Sequence, residues 1–298
     1  MSKSLIIGDL HLKSAVVDEL LPQIKAEIGY DKVIYGGDYF DDFYDTPEMN
    51  RQMAVWVKEK LEDPNNILLL GNHDHALKWG ENPHSYCSGF TPQKHEEVKG
   101  VLTQQDFDKI KIYYVEQGIL FSHAGLSASL LDLIVACGKN DEFDYTLENC
   151  VNKLKEWVIE ADSNYSVQRG HFLYAAGSSR GGSQKVGGII WCDASEFTPT
   201  AFNQIYFHSP RNVPDLQLRN SNNEVFGSSI LSNSLHHKKS EVLTRGWGLD
   251  LDTHLRHFCI LEDNILTIYK IDIVDRMNRV GKLLFKLDTK NNILLFQS

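Results

Sequence analysis

The sequence predicts an α/β fold: a two-sheet β-sandwich flanked by helices. Three observations point to it. Up to Leu70, short aliphatic strands alternate with helical segments, the pattern of a parallel sheet with crossover helices. Those strands are continuously apolar, as in a sheet covered on both faces. The second half turns to hairpins and mainly antiparallel strands, which a second sheet accommodates.

Taken in order, Leu5-Ile6-Ile7 is a strand ending at Gly8. From about Ala15 to Ile28, Val16, Val17, Leu20, Leu21, Ile24 and Ile28 recur at helical spacing, with Pro22 interrupting or delaying the first turn. Val33-Ile34-Tyr35 is a second strand, ending at Gly36-Gly37. Thr46 and Pro47 open a helix as N-cap and first residue, with Met49, Met53, Trp56 and Leu61 as its expected buried stripe. Ile67 to Leu70 forms a third strand. Tyr113 to Ser122 reads as a hairpin turning near Gly118. Helices are expected at about Ser127 to Ala136 and Thr146 to Glu160. Strands are expected at Ile189 to Trp191, Gln204 to Phe207 and Glu241 to Trp247. Two terminal hairpins, Phe258 to Ile273 and Leu283 to Phe296, turn at Asp263-Asn264 and Lys290-Asn291-Asn292. The glycine-rich stretch 177–188 reads as a loop. The expected organisation is a single domain over 1–298, with 80–100 and 209–240 as loop insertions bordering the site.

Bulk properties narrow the function. A net charge of -10 disfavours a dedicated nucleic-acid binder, since the one compact basic run is His236-His237-Lys238-Lys239. Cys87, Cys137, Cys150, Cys192 and Cys259 form no CxxC pair and read as reduced thiols. No segment approaches the roughly 18 apolar residues of a membrane span, and the N-terminal apolar run is too short for a signal peptide. A cytoplasmic location is expected.

Chemistry gathers at the strand ends. Parallel strands put their carboxyl ends on one rim, where ligands bind in such sheets. Asp9 and His11 follow the first strand, Asp38 and Asp41 the second, and Asn72, His73 and Asp74 the third. In an extended chain residues i and i+2 point the same way, so Asp9 and His11 are expected to grip one cation. Asp38 is placed to bridge two. Asn72 offers an amide oxygen, and His123 and His208, each after an apolar strand, offer imidazole nitrogens. Mixed Asp, Asn and His donors suit Mn, Fe, Zn and similar ions rather than a thiolate-bound zinc.

These blocks carry a family resemblance. GDLH (Gly8 to His11), GGDYFDD (Gly36 to Asp42), GNHD (Gly71 to Asp74), SHAGL (Ser122 to Leu126) and YFHSP (Tyr206 to Pro210) resemble the ordered motifs of the calcineurin-like metallophosphoesterases. SHAGLS, IIWCDAS and the GWGLDLDTH tail resemble its phosphoprotein-phosphatase branch, which includes Ser/Thr phosphatases and bacterial diadenosine tetraphosphate hydrolases. The resemblance implies that Asp9, His11 and Asp38 hold a first metal and that Asp38, Asn72, His123 and His208 hold a second. It places His73 at the leaving group, paired with Asp41. Two divalent ions, Mn first among Fe, Zn, Ni and Mg, would then share a hydroxide that attacks phosphorus. His73 would donate a proton, with Asp41 orienting it and raising its pKa.

The sequence departs from that branch in three places. Asp42 stands where the branch has a phosphate-binding arginine, so Arg180, Lys185 or Arg211 is expected to meet the phosphate charge. Phe207-His208-Ser209 replaces Gly-His-Thr, and GNHD replaces GNHE. His75 and His171 stand in reserve as alternative ligands, while His84 and His95 read as surface residues. The leading expectation is a phosphomonoesterase acting on a phosphoprotein or a small phosphorylated molecule. A nucleotide or dinucleoside polyphosphate hydrolase is the alternative. A non-catalytic scaffold of the same fold and a nuclease rank below both.

Overall fold

The computed structural model describes residues 2–137, 144–219, 225–229, 246–274 and 277–295. The chain starts β1 (Ser4–Ile7), α1 (Ser14–Glu27), β2 (Lys32–Tyr35), α2 (Pro47–Glu62) and β3 (Asn66–Leu68). It continues through α3 (Asn72–Lys78), α4 (Pro92–Lys99), α5 (Gln104–Phe107), β4 (Tyr113–Glu116), β5 (Ile119–Ser122), α6 (Ala128–Cys137) and α7 (Leu147–Ser166). The remaining strands are β6 (Asn203–Tyr206), β7 (Asp215–Arg219), β8 (Val225–Ser229), β9 (Gly248–Asp250), β10 (His257–Glu262), β11 (Ile265–Val274), β12 (Met277–Asp288) and β13 (Ile293–Leu295).

Two sheets result. The first runs β13-β12-β11-β10-β1-β2-β3, with β1, β2 and β3 parallel and the rest antiparallel. The second runs β4-β5-β6-β9-β7-β8. Strand alternation divides the apolar side chains between two layers. Ile6, Ile34 and Ile67 of the first sheet join Phe121, Ile205, Phe207 and Leu249 of the second in one buried cluster, the filling of the sandwich. Leu5, Ile7, Val33, Tyr35 and Leu68 face the other way. They share a second cluster with the helix residues Val17, Leu20, Ile24, Met53, Trp56, Val57 and Trp157.

The second sheet is more parallel than the sequence suggests. β5, β6 and β9 run parallel, so they deliver His123, His208 and Asp252 to one end. Other differences have local causes. Ile189-Ile190-Trp191 is a buried turn rather than a strand: the Ile189 carbonyl accepts from Ala124 N at 2.8 Å and its N–H donates to Leu173 O at 2.9 Å. Met49 is 42% exposed, and Asn50 takes its place in the buried stripe of α2. Segment 80–100 contains α4, capped by Thr91 and opened by Pro92. His95 on that helix is buried, packed close to Gly80. Part of 209–240 forms β7 and β8; residues 220–224 and 230–240, including the basic run, lie outside the described residues, as do 241–245 of the expected strand. Among the described residues Cys87, Cys150, Cys192 and Cys259 are free, and no helix is long and apolar enough to cross a membrane.

Candidate metal centre

The carboxyl ends of β1, β2 and β3 meet those of β5 and β6 around a compact set of donors. The chain leaves β1 into a turn, not into further extended strand. His11 and Leu12 have φ of 40° and 63°. The i, i+2 argument therefore does not hold, yet the turn still brings His11 Nε2 to 4.0 Å from Asp9 Oδ2 and 3.8 Å from Asp38 Oδ2. Asp38 and Asp41 are also left-handed, at 47° and 61°. Such backbone costs about 1–3 kcal/mol per residue and gathers at functional sites.

Close packing of two loops makes the rest possible. A Cβ on Gly71 would lie 2.1 Å from Asp38 Oδ1, and one on Gly37 would lie 2.8 Å from Gly71 N. Asp74 stitches these loops together. Its Oδ2 accepts from Asp38 N at 2.9 Å and Gly71 N at 2.8 Å, and its Oδ1 from Tyr39 N at 2.8 Å.

His123, fully buried, lies at the middle. Its Nδ1 is 2.9 Å from the Gly36 carbonyl, which only accepts, so Nδ1 carries the proton. On a neutral ring Nε2 is then a lone pair. It faces Asn72 Oδ1 at 3.1 Å, Asp38 Oδ2 at 3.3 Å and His208 Nδ1 at 3.1 Å. A positive charge satisfies these groups: either a proton on Nε2, since burial lowers the His123 pKa but the Asp38 charge outweighs it and raises it, or a bound cation in its place. His11 follows the same rule: Nδ1 donates to the Asp41 carbonyl at 2.7 Å, leaving Nε2 free toward the two carboxylates. Anchoring the outer nitrogen of an imidazole in this way is how proteins orient metal-binding histidines. Asp9 Oδ1 is buried without a hydrogen-bond partner. The donor set thus fits divalent cations. Ligand atoms of Asp9, His11 and Asp38, and of Asp38, His123 and His208, each fall within 4.8 Å of one another.

Electrostatics agree with that fit. Burial, then the neighbouring Asp252 and Asp38 charges, hold the Asp9 carboxyl well above its ordinary pKa. For Asp38 burial acts upward, but His123 and His73 outweigh it and hold the pKa well below the usual value. His208 is pushed well down by burial and by the charges of His123 and Arg180. Bound cations would relieve the crowding of Asp9, Asp38 and Asp252.

A second group adjoins the first. His73 Nδ1 lies 2.9 Å from Asp41 Oδ2 and 3.5 Å from Cys87 Sγ, and its backbone N donates to Asp38 Oδ1 at 3.0 Å. Burial works against the imidazolium, but the Asp38 charge and the Asp41 hydrogen bond hold the His73 pKa well above the ordinary value. Asp41 is pushed up by burial, yet the bonds to His73 and Lys94 bring it below its usual range.

The remaining expected residues sit at various distances. Arg180 ion-pairs with Asp193 at 2.8 Å, and its Nη2 donates to the His208 carbonyl at 3.3 Å, so it braces the strand end behind His208. Arg211 Nε lies 3.8 Å from Asp250 Oδ2 and 4.0 Å from Asp215 Oδ2, tied to carboxylates and not to the donor cluster. Lys185 is exposed. Asp42 turns outward to Lys13 at 3.3 Å, so its charge does not enter the site. His75 is buried between the Tyr165 and Tyr174 rings, and His171 lies 3.7 Å from Glu160; neither joins the cluster. Sequence reasoning missed Asp74 as the loop clasp, Asp252 beside Asp9, and Lys94. Thr91-Pro92, an N-cap and first-residue pair like Thr46-Pro47, was the available signal for the helix that carries Lys94.

Among solved structures, a metallophosphoesterase from Sphaerobacter thermophilus is 12% identical, with 95% of this chain and 89% of that one covered and a TM-score of 0.38. A protein serine/threonine phosphatase from Saccharomyces cerevisiae is 13% identical, with 88% of this chain and 73% of that one covered and a TM-score of 0.37. No curated protein matches the chain. The family model of the calcineurin-like phosphoesterases matches residues 2–228, which take in all of the clustered donors. This chain belongs to the calcineurin-like phosphoesterase family and is a hydrolase of phosphate esters.

Proposed function

We propose that this hydrolase cleaves phosphomonoesters, on a phosphoprotein or a small phosphorylated molecule, with two divalent cations of which manganese is the first choice. Asp9, His11 and Asp38 would hold one cation, and Asp38, Asn72, His123 and His208 the other. The observation that carries the reading is the convergence of Asn72 Oδ1, Asp38 Oδ2 and His208 Nδ1 on His123 Nε2 at 3.1–3.3 Å, beside the buried, unpartnered Asp9 Oδ1. Bound cations supply charge neutralisation for the phosphoryl oxygens and a water nucleophile available near neutral pH.

The chain's own residues supply the proton. Asp41 engages Nδ1 of His73 and leaves Nε2 free to meet the departing oxygen. The hydrogen bond from His73 Nδ1 to Asp41 favours the protonated imidazole, whose Nε2–H can pass to the departing oxygen. Acid catalysis of this kind contributes about 10²–10⁴ in rate. Of the two arginines, Arg180 touches the cluster through the His208 carbonyl and is the one proposed for phosphate contact. Residues 1–298 are read as one domain around this site.

The test is a substrate panel on chelator-stripped protein reloaded in turn with Mn, Ni, Mg and Zn. Inorganic phosphate released from an aryl monoester supports the reading. Cleavage confined to dinucleoside polyphosphates would move the assignment to anhydride hydrolysis. Absence of turnover with every metal would contradict both.

A further inference from the structure

Segment 80–100 contributes a buried lysine to the acid pair. Lys94 lies on α4 with its side chain 7% exposed. Its ammonium is 2.7 Å from Asp41 Oδ1 and 2.7 Å from Asp45 Oδ1, and it donates to the Gly89 carbonyl at 2.8 Å. An ammonium has three donors, and all three are used inside the protein. None is left for a phosphoryl oxygen, so Lys94 does not replace the arginine absent at Asp42.

Its contacts instead immobilise Asp41. The terminal torsion of a carboxylate is soft and broadly two-fold. Here Lys94 pins Oδ1, and Oδ2 is presented to His73 Nδ1 at 2.9 Å. The backbone is pinned as well: Asp41 N donates to Asn50 Oδ1 at 3.1 Å, and Asn50 Nδ2 donates to Asp45 Oδ2 at 2.7 Å. The 41–45 loop is thereby tied to α2 on one side and to α4 on the other.

The geometry points to Lys94 as a positioning residue for acid catalysis: it sets the orientation of Asp41, and through Asp41 it turns His73 Nε2 toward the leaving oxygen. The inference rests on the phosphomonoesterase reading above. It concerns proton delivery alone, so its effect depends on the departing group. 4-Nitrophenolate leaves without a proton; an alkoxide needs one.

The experiment compares 4-nitrophenyl phosphate with glycerol phosphate on full-length, metal-loaded protein carrying Lys94→Met, Asp41→Asn, or both. Lys94→Met is expected to lower kcat on glycerol phosphate about tenfold or more, with less than about a threefold change on 4-nitrophenyl phosphate and unchanged metal content. In the Asp41→Asn background, Lys94→Met is expected to add no further selective loss, because Lys94 acts through Asp41. Removing a buried cation between two carboxylates lowers stability. The double variant removes a charge of each sign, so comparing it with Asp41→Asn reads the coupling even where the single lysine variant folds poorly. Equal loss on both esters, no loss on glycerol phosphate, or a further selective loss in the Asp41→Asn background would each overturn the assignment. Failure of the underlying reading looks different: the unsubstituted protein would then release no phosphate from either ester, and the assignment would fall with it.

Discussion

On the metal side of the site, the backbone does the holding. His123 and His11 donate to the carbonyls of Gly36 and Asp41, and Asp74 accepts from the N–H groups of Asp38, Tyr39 and Gly71. On the acid side, side chains hold one another: His73 to Asp41, Asp41 to Lys94, Lys94 to Asp45, Asp45 to Asn50. The difference teaches where each half is vulnerable. A backbone carbonyl cannot be removed by substitution, so the metal half breaks at a ligand, at the Asp74 clasp or where a glycine permits close approach. Every link of the acid half is one substitution from being cut.

The largest effect is expected from Asp38→Asn, which strikes both halves, since Asp38 faces His11 and His123 and accepts from the backbone of His73. Elemental analysis should find one metal or none per chain. Activity should fall by more than about 10³-fold, beyond the roughly 10–100-fold cost of losing an outer-sphere partner. Retention of two metals would remove its bridging role. His73→Ala should cut turnover by about 10²-fold or more with metals still bound, and most steeply for poor leaving groups. Equal activity on an alkyl phosphate would exclude His73 from proton transfer.

Gly37→Ala tests the backbone-held half without replacing a proposed ligand. Its φ of 98° strains any side chain, and the new Cβ would lie 3.0 Å from His123 Nδ1. Competition with a chelator should show about 10–100-fold weaker metal binding. Unchanged affinity would mean that His123 does not depend on that loop.

The smallest expected effect lies outside both halves. Burial, with Lys270 and Arg256, lowers the His257 pKa from 6.5 to about 4. The unfolded chain therefore takes up a proton first as pH falls, so stability declines between pH 6.5 and 4 and is unaffected above that window. At about 1.36 kcal/mol per unit the loss is roughly 3 kcal/mol at most. Melting curves of His257→Gln should show a shallower decline over that window, and an unchanged slope would assign the acid sensitivity elsewhere.

The grouping of the proposed ligands is legible in the sequence because these residues follow short aliphatic strands whose ends a parallel sheet aligns. Asp9, Asp38, Asn72, His123 and His208 come together for that reason. What escapes is whatever depends on contacts distant in the chain or on a turn without periodicity. Lys94 sits on PQKHEEVK, a helix whose one aliphatic residue is Val98, so no stripe announces it. Asp252 follows β9, a three-residue strand placed by pairing with β6. His11 reaches its neighbours through a left-handed turn where extended chain was expected. Ile189 and Ile190 are apolar because a buried turn needs them, a need indistinguishable by composition from that of a strand.

The most direct test of the account is anomalous diffraction from crystals of the protein loaded with manganese. Two peaks are expected on either side of the Asp38 carboxylate, one toward Asp9 and His11, the other toward Asn72, His123 and His208. A single peak, or manganese bound only away from Asp38, would contradict a centre shared between the two sheets.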